Sequence, residues 1–297
     1  MKNLKPDSKI LVQGITEPLG AIYTARMKAY GTNVVAGVSP GRGGQKLDDI
    51  PIFDLVEQAL SVVGQVDATI IFVPPYSVMD AALEAIASGI SQIILNTGGV
   101  PPLDMVRLLR KAAVTNTLIV GPHSSGIIMP GKILLGSQES EFYTPGSIGL
   151  ISHTDILTYE VAWELTQAGL GQSLSVSLGN SAIIGSSFCQ WLKILDKDEN
   201  TKAIVLVGQS GSGNEADAAQ YIANGIDKPV VAYIAGGHLP TDKRLDNATA
   251  IIASQLSGPI IDSDTAQSKI AAFKQAKIPV AKRPSQIPDL VKKALKK

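Results

Sequence analysis

The 297 residues suffice for two ordinary domains, and 45% hydrophobic against 18% charged content, with few aromatics, suits an α/β protein rich in small aliphatic side chains. Lysine plus arginine equals aspartate plus glutamate at 26 each, which leaves no electrostatic case for binding nucleic acid or an anionic membrane. A single cysteine, Cys189, excludes an intrachain disulfide and any Cys-rich zinc site, and no metal centre is expected.

The opening "MKNLKPDSK" lacks the apolar core of a secretory signal, and no apolar run is long enough to span a bilayer, so a cytoplasmic location is expected. "ILVQ" at 10–13 is a short apolar strand, followed by the turn "GITEPLG" and a helix over 21–31 that Gly31 stops. Strands are predicted at 33–38, 68–73, 92–97 and 118–122, with helices at 78–89 and 103–114 between them. Short continuous apolar runs alternating with amphipathic segments predict a parallel sheet with helices on both faces. Pro and Gly interrupt this pattern at Tyr143 to Gly146, which divides the chain into a first domain over 1–145 and a second over 146–297. The rhythm then resumes, with strands at 148–152, 172–179, 202–208 and 229–236 and helices at 158–169 and 215–225. "SSFCQWL" reads as the buried face of a further helix, which makes Cys189 a packing residue; Trp163 and Trp191 read the same way. Amphipathic segments at 267–280 and 287–297 close the chain.

Ligands of open α/β sheets sit beyond the carboxyl ends of the strands, so the loops there hold the candidate residues. "QGITEPLG" supplies Gly14, Thr16 and Gly20 in a glycine turn opening a helix, placed to receive phosphate on backbone N–H groups. Glu17 and Pro18 interrupt a clean G-x-G-x-x-G, and an ordinary strand-to-helix turn has the same appearance. "PGRGG" adds Pro40 and the Arg42 cation, "PPYS" adds Pro74, and "NTGGVP" adds Thr97. All three histidines, His123, His153 and His238, fall in such loops, where a solvent-facing or hydrogen-bonded side chain is the plain alternative to a catalytic one.

The motifs "VQGITEPLG", "VSPGRGG", "NTGGVPPLDM", "GP-x-x-x-G-I-x-x-PG", "ILTYE" and "PVV-YIAG" occur in the order and spacing of the succinate–CoA ligase α-subunit family, which the chain resembles over nearly its whole length. The resemblance implies a Rossmann-like CoA-binding domain followed by a flavodoxin-like α/β ligase domain. It further implies coenzyme A as ligand, and an ATP-grasp β subunit as the partner through which ATP or GTP is used. In that family a histidine of the second domain carries the phosphoryl group.

Carried over residue by residue, the resemblance puts that histidine in K-R-x-G-H-A-G-A-I-I, where Lys243, Arg244, Ala248, Ala250, Ile251 and Ile252 match. Asn247 occupies the histidine position, and Asp246 and Thr249 replace its flanking glycines. A carboxamide has neither a nitrogen able to attack phosphorus nor a pKa that lets it act as a base. The family's orienting carboxylate in G-E-x-G-G is Gln209 here. In the phosphate-site loop, Ser152, Thr158 and Tyr159 persist beside Thr154, but Asp155 fills a glycine position; Ser124 lies in the altered "GPHSSG". Asp155 either occupies the anion site or joins Thr154 in capping the helix, and both disfavour phosphate. His238, at the end of the strand before the altered loop, is the nearest substitute acceptor. On the CoA side Gly14, Thr16 and Gly20 keep the family frame, while Glu17 stands where a glycine would meet the diphosphate. Three readings follow: an α-like binding protein with an impaired phosphohistidine relay, an active ligase α subunit using another acceptor, or a structural subunit without ligand.

Overall fold

A computed structural model of the chain describes residues 4–154, 156–210, 215–237 and 265–296. They form two compact units. The first runs to Ser140 and includes Gly179–Ser186; the second holds Glu141–Leu178 and the chain from Ser187 onward. Among the described residues no helix is long and apolar enough to cross a membrane, and no group of three His, Cys, Asp or Glu side chains is placed to hold a metal.

In the first unit the elements are β1 (Ile10–Gln13), α1 (Pro18–Ala29), β2 (Val34–Val38), β3 (Lys46–Leu47), β4 (Ile50–Phe53), α2 (Val56–Val63) and β5 (Ala68–Ile71). They continue as α3 (Val78–Ala87), β6 (Gln92–Leu95), α4 (Pro102–Thr115) and β7 (Leu118–Val120), then a hairpin of β8 (Gly126–Met129) and β9 (Ile133–Gly136). The sheet order is β3-β4-β2-β1-β5-β6-β7, parallel except for the β3–β4 pair. Every residue of β1, β5 and β6 is buried, which is why these strands read as unbroken apolar runs. Their side chains pack with Val78, Ala82, Met105 and Leu108 of α3 and α4 into one core.

Helix α1 begins at Pro18, three residues ahead of the sequence expectation of 21. Proline suits the first helical position because its φ is preset and it has no N–H to leave unsatisfied. The β3–β4 hairpin, α2 and the β8–β9 hairpin lie outside the elements predicted from sequence. The last of these is anchored to the end of α1: Thr32 Oγ1 donates to the Leu134 carbonyl at 2.8 Å, and Tyr30 Oη accepts the Gly131 N–H at 2.8 Å.

The second unit comprises β10 (Pro145–Ser152), α5 (Ile156–Gln167), β11 (Gln172–Ser177), α6 (Phe188–Asp196), β12 (Ala203–Gln209), α7 (Glu215–Gly225) and β13 (Val230–Ala235), then α8 (Ala266–Gln275), β14 (Val280–Ala281) and α9 (Ile287–Ala294). Its own parallel strands run β14-β13-β12-β10-β11. The chain therefore passes from β10 to one neighbour, β11, and returns to the other side at β12. A Ser187–Gln190 capping box starts α6, whose Trp191 is fully buried as expected. Trp163 departs from the packing expectation: it meets Phe142 edge-on at 6.2 Å but stays 46% exposed, because its side of α5 is left partly uncovered. Cys189 is half-buried, and burial, followed by the nearby Asp217 charge, pushes its thiol up; both favour the inert thiol over the thiolate.

Both sheets are α/β structures of the predicted class, a Rossmann-like unit followed by a flavodoxin-like one. Each reverses strand order beside its first strand, and open α/β sheets gather ligands at that reversal. The loops after β1 and after β10 and β12 are thus the places to look for chemistry.

Candidate functional site

At the first reversal, β1 ends in a turn that only glycine permits. Gly14 has φ +75°, and a Cβ on it would lie 2.8 Å from the Val73 nitrogen. Its N–H donates to the Val38 carbonyl at 2.8 Å, while its own carbonyl accepts the Glu17 N–H at 3.0 Å. That folds Gly14 against the first turn of α1, where a Cβ on Gly20 would stand 2.0 Å from the Gly14 oxygen. Both glycines are thus required by close packing within the protein, between β1, the β5 end and α1.

Thr16, exposed in this turn, shares a hydrogen bond of 2.6 Å with buried Ser39 at the end of β2. That contact ties the turn to the "PGRGG" loop, whose Arg42 N–H donates to the Ser39 carbonyl at 3.0 Å. Pro40 and the Arg42 side chain are exposed, as is Pro74 beyond β5. Thr97 Oγ1 donates to the Val73 carbonyl at 2.7 Å, joining the β5 and β6 loops and leaving its oxygen only as an acceptor. A helix N-terminus, two bare glycines, an exposed hydroxyl and an exposed guanidinium fit a phosphate-bearing ligand. Glu17, half-buried at the N-cap of α1 with no capping hydrogen bond from its side chain, opposes it.

Ser124 also belongs to the first unit. It is buried, and its hydroxyl oxygen accepts the Gly126 N–H at 2.9 Å, so it serves the turn before β8. Its neighbour His123 is exposed at φ +55°, with its N–H on the Thr97 carbonyl at 2.9 Å.

In the second unit Ser152, His153 and Thr154 leave the end of β10, all buried. Ser152 Oγ donates to the Thr154 carbonyl at 2.8 Å and accepts the Thr154 N–H at 3.1 Å. Thr158 shares its hydroxyl between Ser152 Oγ at 2.6 Å and the same carbonyl. Ser152 of the phosphate-site loop thus spends its hydroxyl on shaping the loop, whereas the buried Thr154 hydroxyl has no hydrogen-bond partner among the described residues. Thr158→Val, nearly isosteric and fully buried, removes one of these partners and is expected to lower stability by about 1–2 kcal/mol in a thermal melt, with secondary structure intact. Tyr159, half-buried on α5, stacks on Phe142 at 5.6 Å between ring centres.

Of the two plain expectations for a loop histidine, solvent-facing or hydrogen-bonded, the first does not hold for His153: its side chain is 2% exposed and its ring stacks on Phe188 at 4.5 Å. Burial, and secondarily the Lys269 charge, hold its pKa down at about 3, so the imidazole is neutral at pH 7. The Glu215 carboxylate 3.8 Å from its Nδ1 is therefore no ion-pair partner at neutral pH, and that charge is met by Lys269 Nζ at 2.9 Å instead.

Gln209, at the end of β12, is half-buried; its N–H donates to Glu215 at 3.2 Å. Sequence reading missed Glu215 and Lys269. Their signals were an acid opening α7 and a lysine within the buried 266–269–273 stripe of α8, where an apolar residue belongs. Asp155, His238 and Asn247 lie outside the described residues.

Two family models match these two α/β units in chain order. A CoA-binding-domain model matches residues 5–99, and a CoA-ligase model matches 152–274. The succinate–CoA ligase [ADP-forming] subunit alpha 2 of Archaeoglobus fulgidus is 39% identical over 288 residues, 97% of each chain. The corresponding alpha subunit of Aquifex aeolicus is 38% identical over 292 residues, 98% of this chain and 93% of that one. The malate–CoA ligase alpha subunit of Methylorubrum extorquens is 38% identical over 249 residues, 82% and 84% of the two chains. The chain belongs to the succinate–CoA ligase α-subunit family. Among solved structures, ATP citrate lyase from Methanothrix soehngenii in complex with citrate and coenzyme A shares the fold, with a TM-score of 0.85 at 20% identity. The match covers 98% of this chain and about half, 50%, of that one.

Proposed function

We propose that this chain is an α-type subunit that binds a CoA-type ligand in its first unit and pairs with an ATP-grasp β-type subunit, while its phosphohistidine relay is impaired. The observation that carries the reading is an asymmetry. The β1–α1 turn keeps the glycines its geometry demands, whereas the second domain has carboxamides, Asn247 and Gln209, where the family places its phosphorylated histidine and orienting carboxylate. Gly14, Thr16, Gly20, Pro40, Arg42, Pro74 and Thr97 would hold the ligand, with the α1 N-terminus receiving its diphosphate. The reading of an active ligase with another acceptor gains nothing from His153, whose ring is buried between Phe188 and the Glu215–Lys269 pair.

The test is co-expression with a β-type subunit, labelling with radioactive ATP and magnesium, and calorimetric titration with CoA. The expected result is CoA binding without acid-labile label on this chain, beside an α-subunit control that labels. Glu17→Gly removes a like charge from the diphosphate's approach and is expected to tighten CoA by about 1 kcal/mol, roughly fivefold. Label that disappears on replacing His238 would overturn the impaired relay. Absence of CoA binding would favour a structural subunit without ligand.

A further inference from the structure

The backbone N–H and carbonyl of Gln209, which belong to successive peptide groups, are both held by charged groups that solvent does not reach. Glu215 Oε1 accepts its N–H at 3.2 Å, and Lys269 Nζ donates to its carbonyl at 2.8 Å. The same two side chains pair with one another, Nζ to Oε2 at 2.9 Å, at 2% and 0% exposure. Gly208 admits the carboxylate: a Cβ there would lie 2.8 Å from Glu215 Cγ and from its Oε1. The two residues come from different helices, α7 and α8, and meet only at this strand end.

A buried ion pair is a poor device for stability alone, since apolar residues of similar volume commonly serve as well or better. What this pair adds is direction. A carboxylate accepts from the peptide that precedes residue 209 and an ammonium donates to the one that follows it, so the backbone of residue 209 is held in one orientation at the point where it leaves the sheet. Gln209 closes β12, next to β10 and thus beside the strand-order reversal of the second unit.

We propose that Glu215 and Lys269 are positioning residues that fix the backbone on both sides of the Gln209 Cα, and hence the direction in which the side chain at 209 is presented, whichever side chain that is. The proposal rests on the reading above that residue 209 stands in the family's orienting position, and it names what sets that position. These two hydrogen bonds engage backbone atoms of residue 209, which glutamate and glutamine share, so they outlast the exchange of one for the other.

Residue-resolved amide hydrogen exchange on the full chain tests this. In Lys269→Met the Gln209 amide is expected to exchange about tenfold faster or more, while Val205, Leu206 and Val207 in the middle of β12 stay near wild type. Lys269→Arg, which still donates to the carbonyl and the carboxylate, is expected to restore most of the protection. Should Lys269→Met fail to fold with Glu215 left uncompensated, the paired Glu215→Leu, Lys269→Met variant removes both charges at similar volume, and the same selective release of Gln209 is expected. An unchanged Gln209 amide, acceleration spread evenly along β12, or no recovery with arginine would each make the pair simple core packing and overturn the proposal. CoA titration of the same proteins keeps the two questions apart: a wild type that does not bind CoA counts against the proposed function and leaves the exchange result standing.

Discussion

Gly20→Ala is expected to abolish measurable CoA binding and to destabilise the first unit by about 1–3 kcal/mol or more, the range in which overpacking falls. The added methyl would stand 2.0 Å from the Gly14 carbonyl oxygen and 3.0 Å from its carbon, both backbone atoms. Neither can yield alone. Gly14 is fixed by its hydrogen bond to Val38 and is itself in close contact with Val73, so the conflict passes to the whole turn between β1 and α1. Moving α1 outward to relieve it would withdraw the helix N-terminus from the ligand and strain the Thr16–Ser39 hydrogen bond that joins the two loops. Calorimetric titration with CoA and a thermal melt give the two readouts. Gly225→Ala is the control, since a Cβ at Gly225 meets nothing within 4 Å, and it is expected to leave both unchanged. A Gly20→Ala protein that bound CoA like wild type would remove the β1–α1 turn from the binding site.

The strands of both sheets were legible because they are buried on two faces. β1 at Ile10–Gln13 coincides with its predicted span, and β5 and β6 lie within theirs. What escaped was short or interrupted. Lys46–Leu47 is a two-residue strand with no periodicity to read, and Pro130 with Gly131 divides the β8–β9 hairpin into two apolar runs of four residues each. The placement of the loops around the first reversal was legible for a different reason: glycine and proline mark where each strand ends and the chain turns. The cluster of buried polar groups in the second unit was not. Glu215 resembles any acid in a first helical turn, and its burial depends on Lys269, 54 positions later, and on Gly208 leaving it room. His153 sits in a polar stretch, and what removes it from water is Phe188, an aromatic on another helix. Local pattern carries which loop a residue occupies; burial is set by partners far along the chain.

Acid is expected to weaken the second unit through His153, and the direction follows from its depressed pKa. Between the unfolded value near 6.5 and the folded value of about 3, the unfolded chain binds a proton at this residue that the folded chain refuses. The stabilisation is therefore fully present above pH 6.5 and is lost progressively as pH falls towards 3, at up to about 1.4 kcal/mol per pH unit. For a domain of this size that is roughly 3–5 °C of melting temperature per unit. The cause is local: the imidazole is enclosed by Phe188 and faces the Lys269 ammonium, and Glu215, the carboxylate close to it among the described residues, is already held by that lysine. Protonation would set two cations against one buried carboxylate. Comparing melting temperature against pH for wild type and His153→Phe, which keeps a ring against Phe188 and cannot titrate, isolates the contribution, because the carboxylates of the rest of the chain act on both. The wild-type curve is expected to fall more steeply from pH 6.5 to 4, and His153→Asn serves as a second non-titrating variant if the phenylalanine repacks. Parallel curves would mean that the folded protein accepts the proton, and that the His153 pocket opens to water where the structure closes it.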